Sequence, residues 1–182
     1  MTWNLNNRWG HTCYSKGGSG LTEEGYALVE AAQRLGMVVD LAHAGRKTAL
    51  DALEAAKRPV VISHANVNDV YGHPRNVDGE VIKRLVDKGG VLGLTFIPRT
   101  ISDSPTVGSL VKHAKYVKER YGVEALAVGT DYLGISTTPP GLESVDKIET
   151  FFKAFREAGF SGEEVEAVRR RNAYRVLREA LD

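Results

Sequence analysis

Short apolar runs alternate with longer segments of helical periodicity along this 182-residue chain. The runs are rich in Val, Ile and Leu, and the first two begin after Gly36 or at Pro59, so they predict buried strands. Thr22 and Ser161 are predicted N-caps, because Ser and Thr hydroxyls accept hydrogen bonds from the free N–H groups of a helix. Predicted strands cover 37–43, 59–64, 91–97 and 125–131, with a strand end at 1–3, and predicted helices cover about 21–35, 47–57, 78–88, 107–121, 144–158 and 161–181.

The regular alternation of strand and helix, with loops of ordinary length, predicts an α/β fold with a parallel sheet. Repeats, low-complexity segments and an interdomain linker are absent from the sequence. We therefore expect a single domain over residues 1–182.

Two of the predicted strands each end at a histidine, the first at His43 and the second at His64. Parallel strands place their carboxyl ends on one face of a sheet, where α/β folds and barrels carry their chemistry. Neutral imidazole is a good ligand for zinc and similar metals. The two positions therefore predict a metal site, and the alternative for each is a hydrogen-bonded structural histidine.

A carboxylate, Asp131, follows the last predicted strand in the same way. There it could bind a metal ion or act as a general base on water. Its alternative role is to cap the following turn, which Asp does well. Beside the two strand-end histidines, we favour the catalytic interpretation.

Composition narrows the function classes further. A net charge of +1 gives no basic face for nucleic acid, and Arg169–Arg171 follows three glutamates on a predicted helix. The single cysteine, Cys13, excludes an intrachain disulfide and a thiolate metal cluster. Neither a membrane-length apolar stretch nor a signal-peptide pattern occurs, so we expect a cytoplasmic protein with no membrane partner.

Several motifs, in order and with matching spacing, resemble the membrane (renal) dipeptidases, peptidase family M19. The resemblance spans nearly the whole chain. It is carried by Arg34–His43 (RLGMVVDLAH), Pro59–Asn66 (PVVISHAN), His73–Val77 (HPRNV), Gly89–Gly93 (GGVLG), Gly129–Gly134 (GTDYLG), Gly141–Glu143 (GLE) and the terminal Asn172–Val176 (NAYRV).

The resemblance implies the carboxyl-terminal half of a (β/α)₈ TIM-like barrel with a two-zinc site that hydrolyses dipeptides. By position, His43 and His64 match the histidines that bind the second zinc, and Arg75 matches the arginine that pairs with the substrate carboxylate. Asp131 matches the aspartate that moves a proton. Trp3 stands where animal members have a substrate-holding histidine, and we expect it to be a substrate-binding residue here.

The family's His-x-Asp pair and its metal-bridging glutamate have no counterpart in this sequence. Two hypotheses follow. The chain is either the carboxyl half of a zinc dipeptidase that needs the missing half, or an inactive stand-alone relative binding at most one metal or a small carboxylate. In either case we expect partners in the form of a homodimer or a complementing amino-terminal half. A third reading is a mononuclear hydrolase acting on another substrate.

Two further positions, His113 and Tyr116, lie on a predicted helix where the family often has histidines. Because a helix position is remote from the strand ends, we expect both to be structural. Leu133 stands where many members have a second aspartate.

Overall fold

A three-stranded parallel sheet forms the centre of the computed structural model, which describes residues 1–181. Its strands are β1 (Val61–Ala65), β2 (Val91–Leu94) and β3 (Leu126–Val128), in the order β1-β2-β3. The helices are α1 (Glu23–Arg34), α2 (Arg46–Ala55), α3 (Gly79–Asp87), α4 (Val107–Tyr121), α5 (Ile148–Glu157), α6 (Gly162–Glu166) and α7 (Asn172–Leu181). The α/β class with a parallel sheet is confirmed.

Both faces of the sheet are covered, which explains why β2 and β3 carry no polar side chains and do not alternate. Alternate residues of each strand, such as Ile62 and Leu92, join the large core formed with the outer helices. The residues between them, including Val91 and Ala127, pack against Val176 of α7 on the other face. The carboxyl-terminal helix thus closes one side of the sheet while the other helices cover the opposite side.

The helix starts follow the predicted capping chemistry. Thr22 accepts a hydrogen bond from the backbone N–H of Gly25, and Ser161 and Glu164 form a reciprocal capping box at α6. The predicted last helix is interrupted, since a π-helical segment over Ala167–Arg171 joins α6 to α7. The helix predicted over 144–158 begins with a short 3₁₀ turn before α5.

The predicted strand at 37–43 is wrong as a regular strand. Asp40 forms one isolated parallel bridge with Val61, supported by hydrogen bonds of Val61 with Val39 and Leu41. The ladder stops there because the Asp40 carboxylate accepts the backbone N–H of Ala42 at 2.9 Å, which turns the chain away. The segment nevertheless lies beside β1.

Three other strand predictions need correction, and the first is the strand over 91–97, which ends at Leu94. Residues 1–3 form no regular strand, although the Met1 amino group donates to the Asp40 carbonyl at 3.0 Å. The strand predicted over 125–131 ends at Val128, so Asp131 lies three residues beyond it.

Among residues 1–181, we find no helix with both the length and the apolar character needed to cross a membrane.

His113 is fully buried and hydrogen-bonded to main chain on both sides, as expected for a structural residue. Its Nδ1 accepts the backbone N–H of Val67 at 3.1 Å, and its Nε2–H donates to the Ile101 carbonyl, 3.0 Å away. It therefore joins α4 to the loops that follow β1 and β2. Burial lowers the pKa of this imidazole, and the neutral ring is the form that makes both bonds.

We expect His113 to make the fold less stable in acid. Because its folded-state pKa lies below the ordinary value of about 6.5, the unfolded chain binds the extra proton below that pH. The free energy of unfolding should therefore fall as pH drops below about 6.5, by up to about 1.4 kcal/mol per pH unit from this residue, until the folded-state pKa is reached. Urea unfolding at pH 7.5 and 5.5 measures the effect.

The variant His113→Leu isolates the contribution, since other histidines also titrate. It should cost about 1–3 kcal/mol at pH 7.5, because a buried N–H and a buried carbonyl lose their partner. It should also lose less stability than the wild type between the two pH values. His11→Gln, in the loop before α1, is the matched control. An unchanged pH dependence in His113→Leu would contradict the assignment.

Candidate active site

One cavity of about 290 Å³ collects every residue that the sequence singled out for chemistry. It lies past the carboxyl ends of the strands, where parallel sheets place their ligands. His43, His64, Arg75, Asp131 and Trp3 all line it. The structure thus brings together side chains that lie up to 128 positions apart in the sequence.

The two histidines meet edge to edge. His43 Nε2 lies 3.0 Å from His64 Nε2, and the ring centroids are 5.0 Å apart. His64 belongs to β1, whereas His43 follows the isolated bridge and has a φ of +67°. Because L-residues rarely adopt that conformation, His43 is held in place by its surroundings. The Trp3 ring, 70% exposed, lies 6.4 Å from the His43 ring.

Each imidazole is oriented through its other nitrogen. His43 Nδ1 lies 3.0 Å from Asn4 Oδ1, and His64 Nδ1 lies 2.7 Å from Ser63 Oγ. An amide oxygen only accepts, so His43 carries its proton on Nδ1 and its Nε2 is a free lone pair. With His64 Nε2 at 3.0 Å, this lone pair points at the place where a shared cation would sit.

Burial keeps both rings neutral. It lowers the pKa of His43 to about 4, with the nearby Arg75 guanidinium and His64 adding to the effect. Burial and Arg75 likewise lower the pKa of His64, against a smaller opposing effect of Asp131. Neutral imidazole is the form that binds metal ions, so both side chains are in the ligating state at neutral pH.

The donor set fits a metal ion but does not complete a catalytic site. Two neutral imidazoles converge, while catalytic zinc sites use three protein ligands. Across the described residues 1–181, no group of three or more His, Cys, Asp or Glu side chains is placed to hold a metal. His43 and His64 are therefore suited to be part of a larger ligand set.

Arg75 is buried, with only 3% of its surface exposed. Its Nη2 donates to the His64 carbonyl at 3.0 Å. Burial lowers the pKa of the guanidinium, and no carboxylate of residues 1–181 forms an ion pair with it. A buried guanidinium without a carboxylate partner is suited to bind an anionic group of a ligand.

Asp131 shares an unusual backbone conformation with His43. Its φ is +61°, and within the described part of the chain these two are the non-glycine residues with positive φ. Gly134 donates its N–H to the Asp131 carbonyl at 2.8 Å, and a Cβ at position 134 would lie 2.3 Å from Asp131 Oδ1. Glycine at 134 therefore makes room for the carboxylate beside the cavity.

Sequence reasoning assigned no role to four polar residues at the site: Asn4, Asp40, Ser63 and Arg99. Asp40 and Ser63 interrupt apolar runs, and a polar residue inside a predicted strand is a signal that could have identified them. Asn4 and Arg99 lie in irregular segments, where the sequence offers no comparable signal. Arg99 follows β2 in a 3₁₀ turn and is exposed at the cavity.

Comparisons with known proteins find dipeptidases among the relatives of this chain. Dipeptidase tcpJ of Claviceps purpurea is 36% identical over 166 residues, covering 90% of this chain and 39% of its own length. Dipeptidase verJ of Clonostachys rogersoniana is 32% identical over 180 residues, covering 97% of this chain and 46% of its own length. The chain therefore spans less than half the length of these curated relatives.

Two solved structures share the fold. An amidohydrolase from Pseudomonas aeruginosa superposes with a TM-score of 0.91 at 26% identity, covering all of this chain and 63% of its own. A metallo peptidase from Rhodobacter sphaeroides, solved with a phosphinate mimic of the dipeptide L-Ala-D-Ala, gives 0.84 at 25% identity, covering 90% and 48%. The sequence model of the membrane dipeptidase family matches residues 1–182. This chain belongs to the membrane dipeptidases, peptidase family M19.

Proposed function

We propose that the chain forms the carboxyl-terminal part of a zinc-dependent dipeptidase, with a site completed by residues outside these 182 positions. The observation that carries the proposal is the convergence of two neutral imidazoles beside a buried guanidinium that has no carboxylate partner among residues 1–181. The fold would be the carboxyl half of a (β/α)₈ barrel. A single domain over 1–182 and a cytoplasmic location are further parts of the proposal.

In this proposal His43 and His64 hold zinc through Nε2. Their Nδ1 atoms already have partners in Asn4 and Ser63, which leaves the Nε2 lone pairs available. When bound, such an ion supplies the Lewis acidity that amide hydrolysis requires. The remaining ligands would come from a complementing amino-terminal half or from other segments of a longer product. A second copy of this chain is a further possible partner, but it would bring no His-x-Asp pair.

The other cavity residues have separate roles in the proposal. Arg75 binds the carboxylate of a dipeptide, which fixes the substrate relative to the two imidazoles. Asp131 accepts and returns a proton at its carboxylate, within electrostatic reach of His64. Trp3 forms an exposed wall of the cavity beside His43 and contacts the substrate from that side.

A second candidate function is a non-catalytic relative that binds one metal or a small carboxylate. It is favoured by the two-imidazole donor set, since no third ligand joins it among residues 1–181. The two functions differ in turnover. The first gives dipeptide hydrolysis once a partner completes the site, and the second gives no hydrolysis with any partner.

Zinc titration by calorimetry, with metal content measured by mass spectrometry, tests the donor set. We expect about one weakly bound zinc per chain, because two imidazoles make an incomplete set. His43→Ala and His64→Ala should each abolish this binding. His11→Ala is the matched control and should bind like the wild type.

Hydrolysis of Ala-Ala, measured with added zinc and a complementing amino-terminal half, separates the two functions. Two metals per chain with turnover would mean that residues outside these 182 positions supply the missing ligands. In the zinc titration, binding that survives both His43→Ala and His64→Ala would contradict the metal assignment.

The role of Arg75 is tested with a pair of ligands that differ in one group. Arg75→Lys should weaken binding of Ala-Ala to the zinc-loaded chain about 10- to 100-fold, because a bidentate charged hydrogen bond is lost. Binding of Ala-Ala amide, which has no carboxylate, should change little. The control Arg99→Lys makes the same substitution at an exposed arginine of the cavity. An equal loss for both ligands in Arg75→Lys would exclude carboxylate recognition.

A further inference from the structure

A series of hydrogen bonds, called the relay below, runs from Asp40 through Ser63 to His64. Ser63 Oγ lies 2.5 Å from Asp40 Oδ2 and 2.7 Å from His64 Nδ1. The other carboxylate oxygen, Oδ1, accepts the backbone N–H of Ser63 at 3.0 Å and that of Ala42 at 2.9 Å. Ser63 and His64 belong to β1, and Asp40 is held beside them by its bridge with Val61.

The direction of these bonds follows from the number of protons available. A carboxylate that accepts two backbone N–H groups on one oxygen accepts on the other as well, so the single Ser63 hydroxyl proton points at Asp40. Ser63 Oγ then has only lone pairs to offer His64, and His64 must donate from Nδ1. The neutral His64 ring therefore has no proton on Nε2.

We propose that Asp40 and Ser63 are positioning residues that hold His64 in its Nδ1-protonated form, with Nε2 presented to the cavity as an acceptor. The consequence for zinc binding rests on the function proposed above, whereas the protonation pattern of the metal-free chain does not. Neither residue lies at the end of a strand, where the chemistry was expected.

The substitution Asp40→Asn should reverse the donor and acceptor roles along the relay while keeping its geometry. The amide oxygen of Asp40→Asn can still accept the backbone N–H groups of Ala42 and Ser63, which leaves the amide NH₂ facing Ser63 Oγ. Ser63 then accepts from Asn and turns its own proton toward His64 Nδ1. His64 Nδ1 becomes an acceptor, and the proton of the neutral ring moves to Nε2.

Long-range ¹H–¹⁵N NMR of the metal-free chain, treated with a chelator, reads the protonated nitrogen of each histidine. We expect Nδ1–H for His64 in the wild type, Nε2–H in Asp40→Asn and a mixture of both in Ser63→Ala. Ser63→Thr retains the hydroxyl and should restore Nδ1–H. His64 is assigned by the loss of its signals in His64→Gln.

His113 serves as an internal control for folding. It should remain Nε2–H in every variant, because its bonds to Val67 and Ile101 lie outside the relay. Its unchanged signals show that a variant has kept the packing of α4 on the sheet. Nε2–H for His64 in the wild type, or Nδ1–H retained in a folded Asp40→Asn, would overturn the proposal.

Zinc affinity provides the second readout. Asp40→Asn should bind zinc about 10- to 100-fold more weakly, as expected when the partner of a ligating histidine is lost. Ser102→Ala, which removes a hydroxyl bonded to Ser109, is the matched control for Ser63→Ala. If the protonation pattern responds as expected but the wild type binds no zinc, the relay stands and the proposed metal function fails.

Discussion

The position of the site depends on the bonds made by one carboxylate. Asp40 accepts the backbone N–H groups of Ala42 and Ser63, which immediately precede His43 and His64. Through these bonds a segment that forms only one bridge with the sheet is held in fixed register beside β1. They add to the main-chain bonds that Val61 makes with Val39 and Leu41, and together these bonds hold the segment that carries His43 within reach of His64.

Three features of the cavity destabilise the folded chain when nothing is bound there. Two lone pairs face each other, a buried guanidinium has no carboxylate partner within residues 1–181, and two non-glycine residues adopt positive φ. Each feature costs free energy in the folded state, and each is tolerated because the surrounding packing fixes it. A cation between the imidazoles would relieve the first of these costs, and an anion at Arg75 would relieve the second. Local conflict of this type is expected at functional sites.

The sequence predicted the scaffold better than the details of the site. Helix α4 has the predicted bounds, and the capping roles of Thr22 and Ser161 are confirmed, because these depend on local chemistry. The strand at 37–43 was wrong because apolar composition cannot show that Asp40 bonds to its own main chain and ends the ladder. The meeting of His43 and His64 followed from topology alone. Which nitrogen of each ring is free depends on Asn4 and Ser63, and no pattern in the sequence identifies such partners.

The described residues build a preorganised part of a site. Helix α7 packs on Val91 and Ala127, so this face of the sheet is already covered by the chain itself. The histidines are already oriented by Asn4, Ser63 and Asp40, and all three partners belong to this chain. A completing segment would therefore need to add ligands rather than reshape these. For that reason the protonation of His64 in the metal-free chain is informative whichever partner completes the site.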